Sequence, residues 1–229
     1  METIIQFQQV SKSFGAKQII KNCNLSLREG EVAVIIGPSG CGKTTFLHLA
    51  TKVLQPTSGQ VTCFAQRLGY VFQEPRLLPW CTLYENVAFS CNGVVDKAQI
   101  INLLNRVKLE NELATFPKQL SGGMKQRASI ARAFACKPKL IMMDEPFSAL
   151  DYWIKKELIQ DVIDLIDNEH VSMLYVTHDY EEAATVADRI INIAQAKEGI
   201  YKEYILNVPR KQRSFDYIKN MEYQLLQQS

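Results

Sequence analysis

The sequence predicts an α/β fold: a mostly parallel sheet carrying helices, with a helical lobe inserted in its middle. Three observations lead there. Short apolar runs at 31–36, 140–143 and 172–176 have the length and bounds of buried strands. Helical patterns lie between them, and strands alternating with helices argue for a parallel sheet. The stretch from Leu83 to about Phe134 has mostly helical spacing and reads as the insertion.

Ile4 to Val10 alternates apolar and polar residues, which predicts an edge strand. Glu31 to Ile36 is a buried strand ending at Gly37. From Thr44 to Leu54, the residues Phe46, Leu47, Ala50, Val53 and Leu54 fall on one helix face. Pro56-Thr57-Ser58-Gly59 breaks the chain. In the helical middle, Ile100, Ile101, Leu103, Leu104 and Val107 mark an apolar side. Leu140 to Met143 is a strand running into Asp144-Glu145. Tyr152 to Asn168 is a helix with Leu158, Ile159, Val162, Ile163 and Ile166 on one face, and Ser172 to Val176 is a third buried strand. Asp179 followed by Glu182 predicts a capping box opening another helix. Tyr204 to Val208 is a weak strand ended by Pro209; Arg210, Lys211 and Arg213 read as solvated surface; Ser214 caps a last helix bearing Phe215, Ile218 and Met221.

Composition sets the limits. The chain has 229 residues, is 47% hydrophobic and has a formal net charge of +2, enough for one large domain. That charge balance gives no reason to expect a nucleic-acid partner. No run of eighteen apolar residues spans a membrane, and the N-terminal residues lack a basic-then-apolar secretory signal, so a cytosolic chain is expected. The cysteines at 23, 41, 63, 81, 91 and 136 form no C-x-x-C pair and read as reduced thiols.

Chemistry concentrates in Gly37-Pro38-Ser39-Gly40-Cys41-Gly42-Lys43-Thr44, which matches G-x-x-x-x-G-K-T between a strand and a helix. Glycines let successive N–H groups turn inward on an anion, and the helix directs its positive end at it. Lys43 reaches terminal phosphates and the Thr44 hydroxyl can ligate Mg2+. The bland alternative is a glycine-rich turn. A phosphate loop also needs a metal-positioning acid on a nearby strand. Asp144 answers to that, and Glu145 can orient or deprotonate the attacking water. Leu120-Ser121-Gly122-Gly123-Met124-Lys125-Gln126-Arg127, ahead of a helix over 126–134, is another potential anion site.

With these three elements in that order, the chain resembles the ATP-binding cassette (ABC) ATPases over nearly its whole length. The resemblance implies a P-loop NTPase (RecA-like) core with antiparallel edge strands, binding ATP and Mg2+. It implies one domain, 1–229, made of a core lobe (1–80 and 138–205), a helical signature lobe (81–137) and a short tail (206–229). It assigns Gln73 to the Q-loop, on Mg2+ or water, and Asp151 of Ser148-Ala149-Leu150-Asp151 to the D-loop. It makes His178 the switch histidine on the γ-phosphate and Phe14 the aromatic on adenine, with a strand-end core residue as the plain alternative for Phe14. Thr45 belongs with the phosphate loop, and Lys43, Gln73, Glu145 and His178 with catalysis. Two copies are expected head to tail, the phosphate loop of one facing Ser121-Gly122-Gly123 of the other.

Gln73-Glu74-Pro75-Arg76-Leu77-Leu78-Pro79-Trp80 is similar to the segment in importer ATPases for nitrate, taurine, aliphatic sulfonates and thiamine precursors. Tyr84-Glu85-Asn86-Val87, Thr177-His178-Asp179-Tyr180-Glu181-Glu182-Ala183 and Val208-Pro209-Arg210 agree. The resemblance implies a peripheral subunit at the cytoplasmic face of the membrane. It would dock on transmembrane permease subunits, with a solute-binding protein as an indirect partner. Between Gly59 and Gln73 the chain is shorter than is usual in the family, and Val61 to Leu68 is expected to form an abbreviated hairpin. Competing readings are a soluble ABC ATPase of translation or repair and an exporter cassette. One set of motifs, no heptad run and no fused membrane domain weigh against them.

Overall fold

The computed structural model describes residues 2–91 and 96–227; the stretch 92–95, inside the expected helical run, lies outside them. The strands are β1 (Thr3–Phe14), β2 (Lys17–Arg28), β3 (Val32–Ile36), β4 (Ser58–Cys63), β5 (Leu68–Val71), β6 (Leu140–Asp144), β7 (Ser172–Thr177), β8 (Arg189–Asn192) and β9 (Lys202–Ile205). The helices are α1 (Lys43–Ala50), α2 (Leu83–Phe89), α3 (Lys97–Arg106), α4 (Gly122–Phe134), α5 (Tyr152–Glu169), α6 (Tyr180–Val186) and α7 (Phe215–Leu226). The described residues fall into two compact units, one up to Ala65 and from Ser172 onward, the other within Gln66–Val171.

In the first unit β7, β3 and β8 run parallel, with Ile36 paired to Thr177 on one side and to Asn192 on the other. Every residue of β3 and β7 is buried, as a parallel strand covered on both faces requires. Antiparallel β9 closes the β8 edge.

A separate antiparallel sheet has the order β2-β1-β4. The expectation of an edge strand over Ile4–Val10 is therefore corrected. Apolar–polar patterning reports burial and not edge pairing: β1 buries Ile4, Ile5, Phe7 and Val10, its register shifts break strict alternation, and both its edges are paired. The expected hairpin over 61–68 is also not formed, because β4 takes its partner from β1 (Phe7 to Val61) and β5 takes its own from β6. Gly59 makes the β4 approach possible. Its φ is +79°, and a Cβ there would come within 2.3 Å of the Gln9 carbonyl oxygen. Phe7 of β1 packs on Phe46 of α1 at 5.7 Å between centroids, and Phe46 meets Tyr201 edge-on at 6.4 Å.

The C-terminal basic cluster is not uniformly solvated surface. Arg213 is buried and donates to the carbonyls of Ala184, Thr185 and Ala187 at 2.9, 3.1 and 2.6 Å, and to that of Val208 at 2.9 Å. The first three are carbonyls at the end of α6 that the helix itself leaves unmatched. A guanidinium, with five donors in a fixed fork, can serve them together.

In the second unit β5 and β6 pair in parallel, Leu68 with Leu140 through Val71 with Met143. Helix α4 lies close over β5: a Cβ on Gly69 would come 2.4 Å from the Ala133 carbonyl oxygen. Helix α5 buries Leu158, Ile159, Val162, Ile163, Leu165 and Ile166. Arg127 of α4, itself buried, forms ion pairs with Asp161 and with Glu157 at 3.1 Å, and Lys108 adds a second cation to Asp161 at 3.2 Å. Thr82 and Glu85 form a reciprocal capping box at the start of α2.

Candidate functional site

The phosphate-loop sequence folds as the connection from β3 to α1. Gly42 is the residue before α1 at φ +110°, where a Cβ would meet the Ile19 Cγ2 at 2.5 Å. Only glycine fits both demands. The Cys41 N–H donates to the Pro38 carbonyl at 3.3 Å, closing the turn over Ser39 and Gly40. Lys43, 5% exposed, puts its ammonium inside the loop, donating to the carbonyls of Gly37 at 2.8 Å and Pro38 at 3.3 Å. Thr44 is exposed and Thr45 half-buried in the first turn of α1.

His178 follows β7 as Gly37 follows β3. Because Thr177 pairs with Ile36, both leave neighbouring parallel strands at the same carboxyl end, where α/β sheets bind ligands. A buried network holds the turn after His178. The Glu182 carboxylate accepts from the Thr177 hydroxyl at 2.7 Å and from the Tyr175 phenol. The Asp179 carboxylate caps α6 by accepting from the Glu182 N–H at 3.0 Å. Burial, with the Glu182 charge beside it, pushes the Tyr175 phenol well above its usual range, so it stays a donor. Phe14 ends β1 with its ring 48% exposed and the Lys12 ammonium 5.0 Å from its centre. That exposure disfavours the core-residue alternative.

In the second unit Phe72-Gln73 and Asp144-Glu145 leave the paired strands β5 and β6 at one end, since Val71 pairs with Met143. Burial and the nearby Asp144 carboxylate both push the Tyr70 phenol up. Glu145 has φ +43°, left-handed backbone that costs a non-glycine residue about 1–3 kcal/mol. Its carbonyl accepts from the Ser148 N–H at 3.3 Å and the Ser148 hydroxyl at 3.0 Å. The Gln73 amide donates to that same hydroxyl at 3.2 Å.

Ser121 is the N-cap of α4, accepting from the Met124 N–H at 3.2 Å. Gly122 is open, with nothing within 4 Å of an added Cβ, whereas a Cβ on Gly123 would come 2.9 Å from Ile154 Cγ2 of α5. Asp151 caps α5, accepting from the Trp153 and Ile154 N–H groups at 3.2 and 3.1 Å. The Gln126 amide reaches the Phe72 carbonyl at 3.4 Å.

Two clamps on the 73–81 segment were not legible in the sequence. Arg132 of α4 donates to the Pro75 and Arg76 carbonyls, both at 2.7 Å. Asn86 of α2, fully buried, accepts from the Leu78 N–H at 2.7 Å and donates to the carbonyls of Leu78, Cys81 and Thr82. The loop they shape leaves Trp80 73% exposed.

The sequence pattern of the ABC transporter family matches residues 20–148. An aliphatic sulfonates import ATP-binding protein of Pseudomonas syringae pv. tomato is 36% identical over 204 residues, covering 88% of this chain and 88% of that protein. Another from Paraburkholderia xenovorans is 40% identical over 187 residues, covering 82% and 75%. Among solved structures, the dimeric ATP-binding cassette MJ0796, in a post-hydrolysis state with ADP and Pi, superposes with a TM-score of 0.75. It is 29% identical, covering 90% of this chain and 100% of that one. The chain belongs to the ABC transporter family, as a nucleotide-binding ATPase cassette of the importer type.

Proposed function

We propose that this chain hydrolyses ATP to drive uptake of a small anionic or heterocyclic solute, of the sulfonate, taurine, nitrate or pyrimidine kind, through a separate permease. The observation that carries the ATP chemistry is the phosphate loop closed around the Lys43 ammonium. The solute class rests on relatives named for aliphatic sulfonates import.

In this reading Gly37 to Thr45 hold the phosphates, with Lys43 and His178 on the γ-phosphate, and Phe14 stacks on adenine. Glu145 takes a proton from the attacking water as the β–γ oxygen–phosphorus bond breaks and ADP departs. The donor set suits Mg2+. Thr44, Gln73 and Asp144 offer hard oxygens, too few to enclose the ion, which leaves room for phosphate oxygens and water. Among the described residues no cluster of three or more His, Cys, Asp or Glu makes a metal cage. When bound, Mg2+ neutralises charge on the phosphate oxygens.

Ser121, Gly122, Gly123 and Asp151 serve a head-to-tail homodimer, a reading supported by the dimeric cassette of similar structure. No helix among the described residues is long and apolar enough to cross a membrane. The reading of a separate permease, with this chain a peripheral subunit at the cytoplasmic face, is supported by relatives named as import ATP-binding proteins. The exposed Trp80 and the clamped loop around it form the permease-facing surface.

Glu145→Gln tests the chemistry. ATP affinity is expected to stay within about threefold while turnover falls by roughly 10²–10⁴, with an ATP-dependent dimer in size-exclusion chromatography. Normal turnover by that variant refutes the assignment of the base. Import is tested by co-expression with the neighbouring membrane-protein genes. A cassette that never associates with a permease sinks that part.

A further inference from the structure

Glu145 combines two features that call for an explanation: it is proposed as the general base, and its backbone is left-handed at φ +43°. A Cβ disfavours that conformation, so something must hold it. One hold is on its carbonyl. Ser148 puts two donors on the Glu145 carbonyl, its N–H at 3.3 Å and its hydroxyl at 3.0 Å. Those bonds fix the peptide leaving Glu145, and hence the direction of the Cα–Cβ bond. With its proton committed to that carbonyl, the Ser148 hydroxyl has lone pairs left, and one accepts from the Gln73 amide at 3.2 Å. A single oxygen therefore joins the Gln73 side chain to the strained backbone of Glu145.

Gln73 begins a loop that Arg132 and Asn86 grip by its backbone a few residues on. We propose that Ser148 is a positioning residue for the hydrolytic base, and that Gln73 acts on Glu145 through its hydroxyl. This rests on the ATPase reading above and deepens it. Ser148 touches no reacting atom in the proposal. It sets where the Glu145 carboxylate stands.

The test uses the full chain without permease and reads basal ATP hydrolysis. Ser148→Ala is expected to lower kcat roughly tenfold, the scale of one lost hydrogen bond, with KM for ATP unchanged. Ser148→Thr, which keeps the hydroxyl, is expected to recover kcat to within about threefold of wild type. Ser148 is exposed, so the folded fraction should not move, and a urea midpoint checks this. If Gln73 works through Ser148, Ser148→Ala slows the Gln73→Ala variant by a smaller factor than it slows wild type. Wild-type kcat in Ser148→Ala, a fall equal in both Ser148 variants, or multiplying effects in the double variant overturns the proposal. Glu145→Gln separates the two levels. If it is inactive while Ser148→Ala is normal, only the positioning role fails; if it turns over normally, the assignment of Glu145 as the base fails first.

Discussion

Glu182 shows how much a single buried carboxylate can organise. It accepts from the hydroxyls of Thr177 and Tyr175, both on β7 just ahead of the sheet-end turn that presents His178. Removing an acceptor from buried donors costs more than removing a donor from a charged acceptor that keeps another partner. Glu182→Ala is therefore expected to cost about 2–4 kcal/mol, against about 1 kcal/mol for Tyr175→Phe at the ring-preserving end. Urea denaturation of both variants checks the order. Equal losses would mean that the carboxylate is not the hub of the network. Lys43 follows a related logic: its charge is buried 5% exposed, and the two carbonyls of its own loop compensate it.

Helix α6 is seven residues long, too short to persist on intrinsic propensity. Its start is capped by Asp179 and its end by Arg213, which reaches back from 26 to 29 residues downstream. Arg213→Ala strands three carbonyls at one helix end, and a loss of about 2–4 kcal/mol is expected. Lys, with one ammonium in place of a fork, should recover less than half of it. A thermal melt of both variants measures this, and an unchanged Arg213→Ala midpoint would contradict the capping account. The same element explains what the sequence could and could not disclose. β3 was legible because all five of its residues are buried and apolar, and the phosphate loop because its spacing is local. Arg213 looked like part of a solvated basic run, since nothing within its neighbours names the carbonyls it serves. Arg132 likewise bonds a loop 56 residues away. The central place of β1 was hidden for a related reason: apolar–polar patterning reports burial and is silent on how many edges are paired.

At the scale of the whole molecule, several buried acids are neutral by virtue of folding, and this gives stability a pH dependence on the alkaline side. Burial pushes the Cys23 thiol from 9.0 up to about 12 and the Cys91 thiol up to about 11. The phenols of Tyr70, Tyr175 and Tyr201 are raised as well, again mainly by burial. In the unfolded chain these thiols ionise near their ordinary value while the folded chain keeps its protons. The native state therefore binds more protons above pH 9, and the stability these groups contribute falls as pH rises. Their contribution is fully present below pH 9 and is lost progressively as pH climbs toward 11 and 12, the raised values of Cys91 and Cys23. All six cysteines are free thiols, so no disulfide intervenes. Melting temperatures taken at intervals from pH 7 to 11 are expected to hold to about pH 9 and then decline. Cys23→Ala removes one titrating group from the core. It should start from a lower melting temperature at pH 7, because a buried side chain is shortened, yet lose less between pH 9 and 11. A variant that declines in parallel with the wild type over that window would show that the Cys23 thiol has no part in the alkaline loss.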